Sequence, residues 1–405
     1  MIRRDTVKNK FAPGNLALLG LFLVLAPAAI ASTTWYVDGV NGSDKNNCKT
    51  PQTACKTIGH AISLASSGDS IMVAAATYTE WNLTINFNLK IVGSGAATTI
   101  IDAARHSSVI NIPNSGPDVT VSRVTIRDAH RGVFNQATLT LNDSTISGNF
   151  PFSGIGNYGT MTLNRSTLSR NGSSGIDGYY SNGGGIFNGG ILTVNDSTIN
   201  DNGTRGNYTC GGGIYNSGTL TINNSTLHGN RANSASNGVG GGIDNEGGTM
   251  ALSNSTVSGN KALPDGSNSG GGISNGGCVR NRNRRRPGTI TLQNTIVANN
   301  AHGGNCDGTV TSMGYNLSSD KTCNFDGTGD LNNTVPKLGK LGNYGGPTQT
   351  IPLLPGSQAI DAGNPNGCTD GQGNLLKTDQ RGKPRPDKED HGIGCDMGAY
   401  ERQSD

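Results

Sequence analysis

The chain has 405 residues, of which 62 are glycine, 5% are aromatic and 15% are charged, with a formal net charge of +3. So few charges exclude a chain held open by self-repulsion, and glycine without a Gly-X-Y period excludes collagen; the composition fits a fold of many tight turns. The positive balance lies within the first 31 residues, where Arg3, Arg4, Lys8 and Lys10 face Asp5. The remainder is neutral and gives no global attraction for nucleic acid, so no specific nucleic-acid partner is expected.

The basic start, the apolar run Leu16 to Ile30 and the small-x-small pattern Ala29-Ile30-Ala31 predict a signal peptide over 1–31. The run is broken by Pro27 and too short to span a bilayer, so the mature chain carries no predicted transmembrane segment. Eight cysteines behind an export signal read as disulfides, and no paired C-x-x-C suggests zinc. Proximity pairs Cys48 with Cys55, Cys306 with Cys323 and Cys368 with Cys395, leaving Cys210 and Cys278.

Residues 32–79 read as an N-terminal cap. Trp35-Tyr36-Val37 opens a strand, and Ile58, Ile62 and Ala65 share one face of a short helix before Ser70-Ile71-Met72-Val73 resumes strand. Such a helix would cover the exposed edge of the first coil.

Residues 80–335 carry the repeat. A Gly precedes Val133, Ile155, Ile186, Ile214, Ile243 and Ile273, which are 22, 31, 28, 29 and 30 residues apart. Each is followed by an Asn two residues on, then an alternating strand such as Leu220-Thr221-Ile222, then a third strand such as Ser225-Thr226-Leu227. Alternate aliphatics point inward and Thr points out. Three short strands per coil predict three parallel sheets around an apolar bore, roughly ten coils rising ~4.8 Å each to a rod of ~50 Å, with right-handed crossovers. The fold class is therefore all-β, a right-handed three-sheet parallel β-helix with a helical N-terminal cap and an irregular, disulfide-bearing C-terminal cap. Asn149, Asn171, Asn202, Asn230, Asn260 and Asn300 close the third strands and predict a hydrogen-bonded ladder at one corner.

Insertions at 172–183, 203–211, 231–240 and 261–270 read as loops on one side, bordering the first-strand sheet. The outward column of that sheet is Gly156, Phe187, Tyr215, Asp244 and Ser274. Phe187 and Tyr215, on neighbouring coils, are candidate sugar-stacking rings, since an aromatic ring is rigid and amphipathic; the competing reading is a stabilising aromatic ladder. Asp244, Glu246 and Asp177 form the acidic group of this face. They could hold Ca²⁺, the one cofactor considered, and they are candidate catalytic carboxylates, Asp177 and Asp244 being the pair a glycoside hydrolase would use. Arg280, Arg282, Arg284, Arg285 and Arg286, on the opposite border, form a positive knob suited to acidic polysaccharide, lipopolysaccharide phosphates or nucleic acid, although no interleaved aromatics suggest base reading; the competing reading is a solvated loop.

The coils resemble the right-handed parallel β-helix superfamily that includes pectate lyases and polygalacturonases, and Gly-Gly-Ile-x-Asn with Ser-Thr-Ile-x-x-Asn is similar to the repeats of polymorphic outer-membrane proteins, which act as adhesins. The polygalacturonase motifs Asn-Thr-Asp, paired Asp, Gly-His-Gly and Arg-Ile-Lys do not occur. In residues 336–405, Leu341-Gly342-Asn343-Tyr344-Gly345-Gly346-Pro347, Gly356-Ser357-Gln358-Ala359-Ile360-Asp361, Asp379-Gln380-Arg381-Gly382 and Asp396-Met397-Gly398-Ala399-Tyr400-Glu401 resemble the choice-of-anchor Q region of bacterial surface proteins. Arg381 and Arg385 are expected to pair with Asp379, Asp396 or Glu401 and close the far end of the rod. These resemblances imply a secreted or cell-surface bacterial protein, a monomer, binding polysaccharide or mediating adhesion. A divergent polysaccharide lyase or glycoside hydrolase is the alternative, with Asp244, Glu246 and one Arg of 280–286 as the smallest lyase cast, and a structural envelope protein is the third reading.

Overall fold

Alternating aliphatics settle the interior coil by coil. In the second strands, Leu139, Met161, Leu192, Leu220, Met250 and Ile290 stack in register. In the third strands, Ile146, Leu168, Ile199, Leu227, Val257 and Val297 do the same. Val133, Ile155, Ile186, Ile214, Ile243 and Ile273 form the third inward column, and it ends on Cys306. All but Cys306 are 2% exposed or less, so one dry core runs through the coils. This computed structural model describes residues 32–113, 116–175, 180–264, 269–277, 285–387 and 394–403. The leader expected over 1–31, together with Asp177, Cys278, Arg280, Arg282 and Arg284, lies outside them.

The strands form parallel sheets of 11, 9 and 10 members, the second, first and third strands of successive coils respectively. The short helix runs over Ile58–Leu64, one residue short of Ala65, and turns Ile58, Ala61 and Ile62 inward. Thr57 caps it by accepting from the His60 N–H at 3.2 Å, and both oxygens of Glu80 accept its first amides, Ile58 and Gly59, at 2.8 Å.

The corner Asn ladder forms. Each Nδ2 donates to the Oδ1 of the next coil, from Asn149 through Asn171, Asn202, Asn230 and Asn260 to Asn300, over 2.8–3.0 Å. The left-handed residue at this corner is the one before each Asn, as at Arg170, Asp201 and Gly229. A second buried ladder, Asn135, Asn157, Asn188, Asn216 and Asn245, follows the first strands. Both satisfy bent backbone that the bore would otherwise strand without partners.

The insertions are a fourth sheet, not loops. Gly172–Ser174, Gly203–Cys210, Arg231–Val239 and Lys261–Leu263 pair in parallel in that order, and Tyr180–Asn182 also pairs with Gly203–Cys210. Backbone pairing propagates outward from the stacked coils, so these segments need no apolar alternation to become strands. Cys48–Cys55, Cys306–Cys323 and Cys368–Cys395 are bonded as expected, and Cys210 is also in a disulfide.

The C-terminal segment is irregular and held by ion pairs, yet it lies along the flank of the coils rather than only at their far end. Gln380 donates to Ser197 O and Thr198 Oγ1 and accepts from Thr226 Oγ1. Arg385 donates to Asn224 Oδ1 at 2.9 Å, and Ala399 N to Thr256 Oγ1 at 3.1 Å. The expected pairings hold as Arg381–Asp379 and Arg385–Glu401, both at 2.7 Å and both buried. Outward threonines of the third-strand sheet supply hydroxyl partners, and this is why the segment docks there.

Candidate functional site

The outward column of the first-strand sheet is in the expected register: Phe134, Gly156, Phe187, Tyr215, Asp244 and Ser274 lie on successive coils, followed by Asp307. Chemistry divides it in two. Toward the N-terminus it is aromatic. Phe134 and Tyr158 rings sit 5.7 Å apart, Tyr158 and Phe187 5.3 Å, and Phe187 and Tyr215 5.1 Å, so the ladder has four rings rather than two. Gly156 interrupts the column, and the Arg131 side chain covers it, 3.2 Å from where a Cβ would stand.

The exposure expected for Phe187 and Tyr215 is corrected by their surroundings. Phe187 is half-buried and Tyr215 is buried, packed with Cys210, Val239 and Tyr208 of the fourth sheet. The Tyr215 hydroxyl donates to Glu246 Oε2 at 2.9 Å; burial and the neighbouring Glu246 charge both hold the phenol protonated, with its pKa raised. Tyr215 therefore ends the ladder and presents no ring to solvent.

Toward the C-terminus the column is charged and closed. Asp244 is fully buried. Burial lifts its pKa to about 7, Glu246 adds to the rise, and Ser274, Gly277 N–H and Arg285 oppose it. Its Oδ1 accepts from Gly277 N at 3.2 Å, while Oδ2 has no partner among the described residues. Arg285 is committed to Asp307 at 2.5 Å and is not the free cation the sequence suggested. Arg286 is exposed, and its backbone is fastened to Gly247 and Gly276.

Sulfur of Cys210 and carboxylate oxygens of Asp244 and Glu246 lie within 4.8 Å of one another. Because Cys210 is disulfide-bonded, two carboxylates remain as donors, and Glu246 already binds the Tyr215 phenol. A calcium site takes about six to eight oxygens. The described residues do not fit that ion.

The open site lies one step toward the N-terminus. Arg131, Phe152, Tyr158, Tyr180 and Phe187 line a groove of about 440 Å³ between the first-strand sheet and the fourth sheet. Tyr158 is 49% exposed and Tyr180 50%, and Tyr180 is backed by Tyr208 with rings 5.2 Å apart. The Arg131 Nε donates to Phe152 O at 2.9 Å, and no carboxylate pairs with its guanidinium among the described residues. Rigid rings beside an unpaired cation can stack on sugar faces and bind hydroxyls or acids. Sequence reading found Phe187 but not Tyr158, Tyr180 or Arg131. Tyr158 follows the ladder residue Asn157, and comparing the residue after that Asn in each coil (Gln136, Tyr158, Gly189, Ser217, Glu246) would have exposed it.

No protein-family model matches the chain, and no curated protein matches it. Among solved structures, pectate lyase Pel9A superposes with a TM-score of 0.53 at 16% identity, covering 92% of this chain and 98% of that one. A GH136 lacto-N-biosidase from Eubacterium ramulus gives a TM-score of 0.34 at 10% identity, over 70% of this chain and 63% of that one. A pectin methylesterase mutant in complex with a hexasaccharide gives 0.31 at 17% identity, over 67% and 80%. The Pel9A likeness spans nearly the whole of both molecules and establishes the architecture: the chain is a right-handed parallel β-helix.

Proposed function

We propose that the protein is a secreted or cell-surface β-solenoid that binds polysaccharide through the groove of Arg131, Phe152, Tyr158, Tyr180 and Phe187. The carrying observation is the pair of half-exposed tyrosines, each backed by another ring, beside an unpaired arginine. Backed rings bind at little entropic cost because their neighbours already fix them. The predicted leader over 1–31 supports export. A bacterial surface location is part of this proposal and rests on the resemblance read from the tail motifs alone, which no family model matches, with 32–79 as cap, 80–335 as coil and 336–405 as the docked tail of a monomer. Adhesion is a use of the same groove.

A second reading, a divergent polysaccharide lyase of the pectinase-like superfamily, is favoured by one observation: Asp244, its pKa near neutrality, stands close to Arg285. Its full burial opposes contact with a polymer. Affinity electrophoresis in gels cast with neutral and acidic polysaccharides tests the binding reading. Tyr158→Ala with Tyr180→Ala is expected to weaken retardation about tenfold or more, and retardation unchanged by that pair overturns it. Unsaturated sugar released by the wild type but not by Asp244→Asn would install the lyase reading instead.

A further inference from the structure

We propose that the corner between the third-strand sheet and the fourth sheet is a second subsite, an anion site built by Arg170, Arg205 and Arg231, and that the bound polysaccharide carries carboxylates. This rests on the glycan reading above and names the ligand's charge class. Each coil turns this corner through a left-handed residue: Arg170 with φ 54°, Asp201 with φ 53° and Gly229 with φ 68°. They stack in order, Arg170 N donating to Asn200 O at 3.2 Å and Asp201 N to His228 O at 3.0 Å. The third step has no side chain, and a cavity of about 470 Å³ opens there. A Cβ on Gly229 would stand 2.6 Å from Asp201 Oδ1, so the corner accommodates Gly best.

Arg205 and Arg231 line the same cavity from the fourth sheet. Arg231 pairs with Gly203 and Arg205 lies two residues along that strand, which sets their Cα atoms ~8 Å apart on one face. Lys261 continues the row beside Arg231. All three arginines are exposed, and none has a carboxylate partner among the described residues. The ion pairs among the described residues engage Arg127, Arg165, Arg285, Arg381 and Arg385 instead. One carboxylate, Asp201, shares the cavity and is held by Asn200 Nδ2 at 2.8 Å. Positive charge is thus in excess on a chain whose remainder is neutral.

The two cavities are neighbours. Phe150 lines the basic one and Phe152 the aromatic one, with Pro151 between them. A polymer seated on Tyr158 and Tyr180 reaches the guanidiniums by crossing that ridge. Guanidinium forks match carboxylates in a bidentate manner, and sugar faces match the rings, so an acidic polysaccharide offers both on one chain.

Calorimetry with the full chain tests this using polygalacturonate and its fully methyl-esterified form, one backbone with and without charge. The wild type is expected to favour the acid about tenfold or more, with the preference shrinking as salt rises. Arg170→Gln, Arg205→Gln and Arg231→Gln together, with an unchanged melting temperature, are expected to erase that preference and retain binding of the ester. Equal affinity of the wild type for both forms, or a preference that survives in the triple variant, overturns the anion site and leaves the glycan reading standing. Ester binding unaffected by Tyr158→Ala with Tyr180→Ala overturns the glycan reading, and binding of neither polymer overturns both. Tighter binding of polyphosphate than of polygalacturonate overturns the carboxylate assignment.

Discussion

The coil and the tail are held together by opposite means. In the coil, each residue of an inward column meets an aliphatic much like itself above and below, and the polar groups of the two corner ladders are neutral amides. In the tail, contacts are single and unrepeated: Gln380 spans two coils, and the buried pairs Arg381–Asp379 and Arg385–Glu401 have no equally buried counterpart among the described residues of the coil. Repetition spreads the cost of a defect over neighbouring interfaces, whereas a unique clasp concentrates it. Charge in the tail sharpens this, because a buried ion left without its partner is costly.

The largest effect should therefore come from the tail. Arg385→Leu leaves Glu401 buried beside Asp396, two carboxyls whose pKa values burial already raises, with the Glu401 charge adding to the rise at Asp396 and the Asp379 charge to that at Glu401. A loss of about 3–5 kcal/mol is expected, read by urea titration together with rapid proteolytic clipping within 336–403. A variant that loses less than a surface substitution would break the comparison. Next in size, Asn202→Leu deprives Asn171 N–H and Nδ2–H of their acceptor in the corner ladder. About 2–3 kcal/mol is expected, with hydrogen exchange raised in the coils on either side and unchanged at Ile91 or Ile101.

The smallest test concerns pH. Asp196 lies where the tail docks, its carbonyl accepting from Thr348 Oγ1, and burial raises its pKa to about 6. A folded pKa above the unfolded value means the native state holds the proton longer. The contribution of this one group to stability falls as pH rises through the window from about 4 to about 6 and is constant above it. Asp196→Asn should flatten that part of the melting-temperature profile. A profile of the same slope in the variant would assign the dependence to other groups.

The same contrast explains what the sequence made legible. The bore could be read because aliphatic spacing repeats, and the corner Asn ladder because a turn residue recurs at the same step of every coil. The fourth sheet could not: Gly203–Cys210 and Arg231–Val239 share no alternation, and only the stacking of their parent coils pairs them. The tail's place was illegible because its partners lie far away in sequence, as with Gln380 and Thr198. At the site, the outward column was readable, but its burial was not. The cover over Tyr215 comes from Cys210 and Val239, and Arg285 is neutralised by Asp307, which belongs to the next coil.

The docked tail also acts as a gauge. A solenoid tolerates gain or loss of whole turns, since amides at Asn202 and Asn260 would join as readily as Asn202 and Asn230 do. Between Asp196 and Asn294 that freedom is withdrawn, because one downstream segment must meet Ser197, Asn224, Asn254 and Asn294 at set intervals. Duplication or deletion of a turn is thus confined to the part before Asp196, where the rod can change length without losing its clasp.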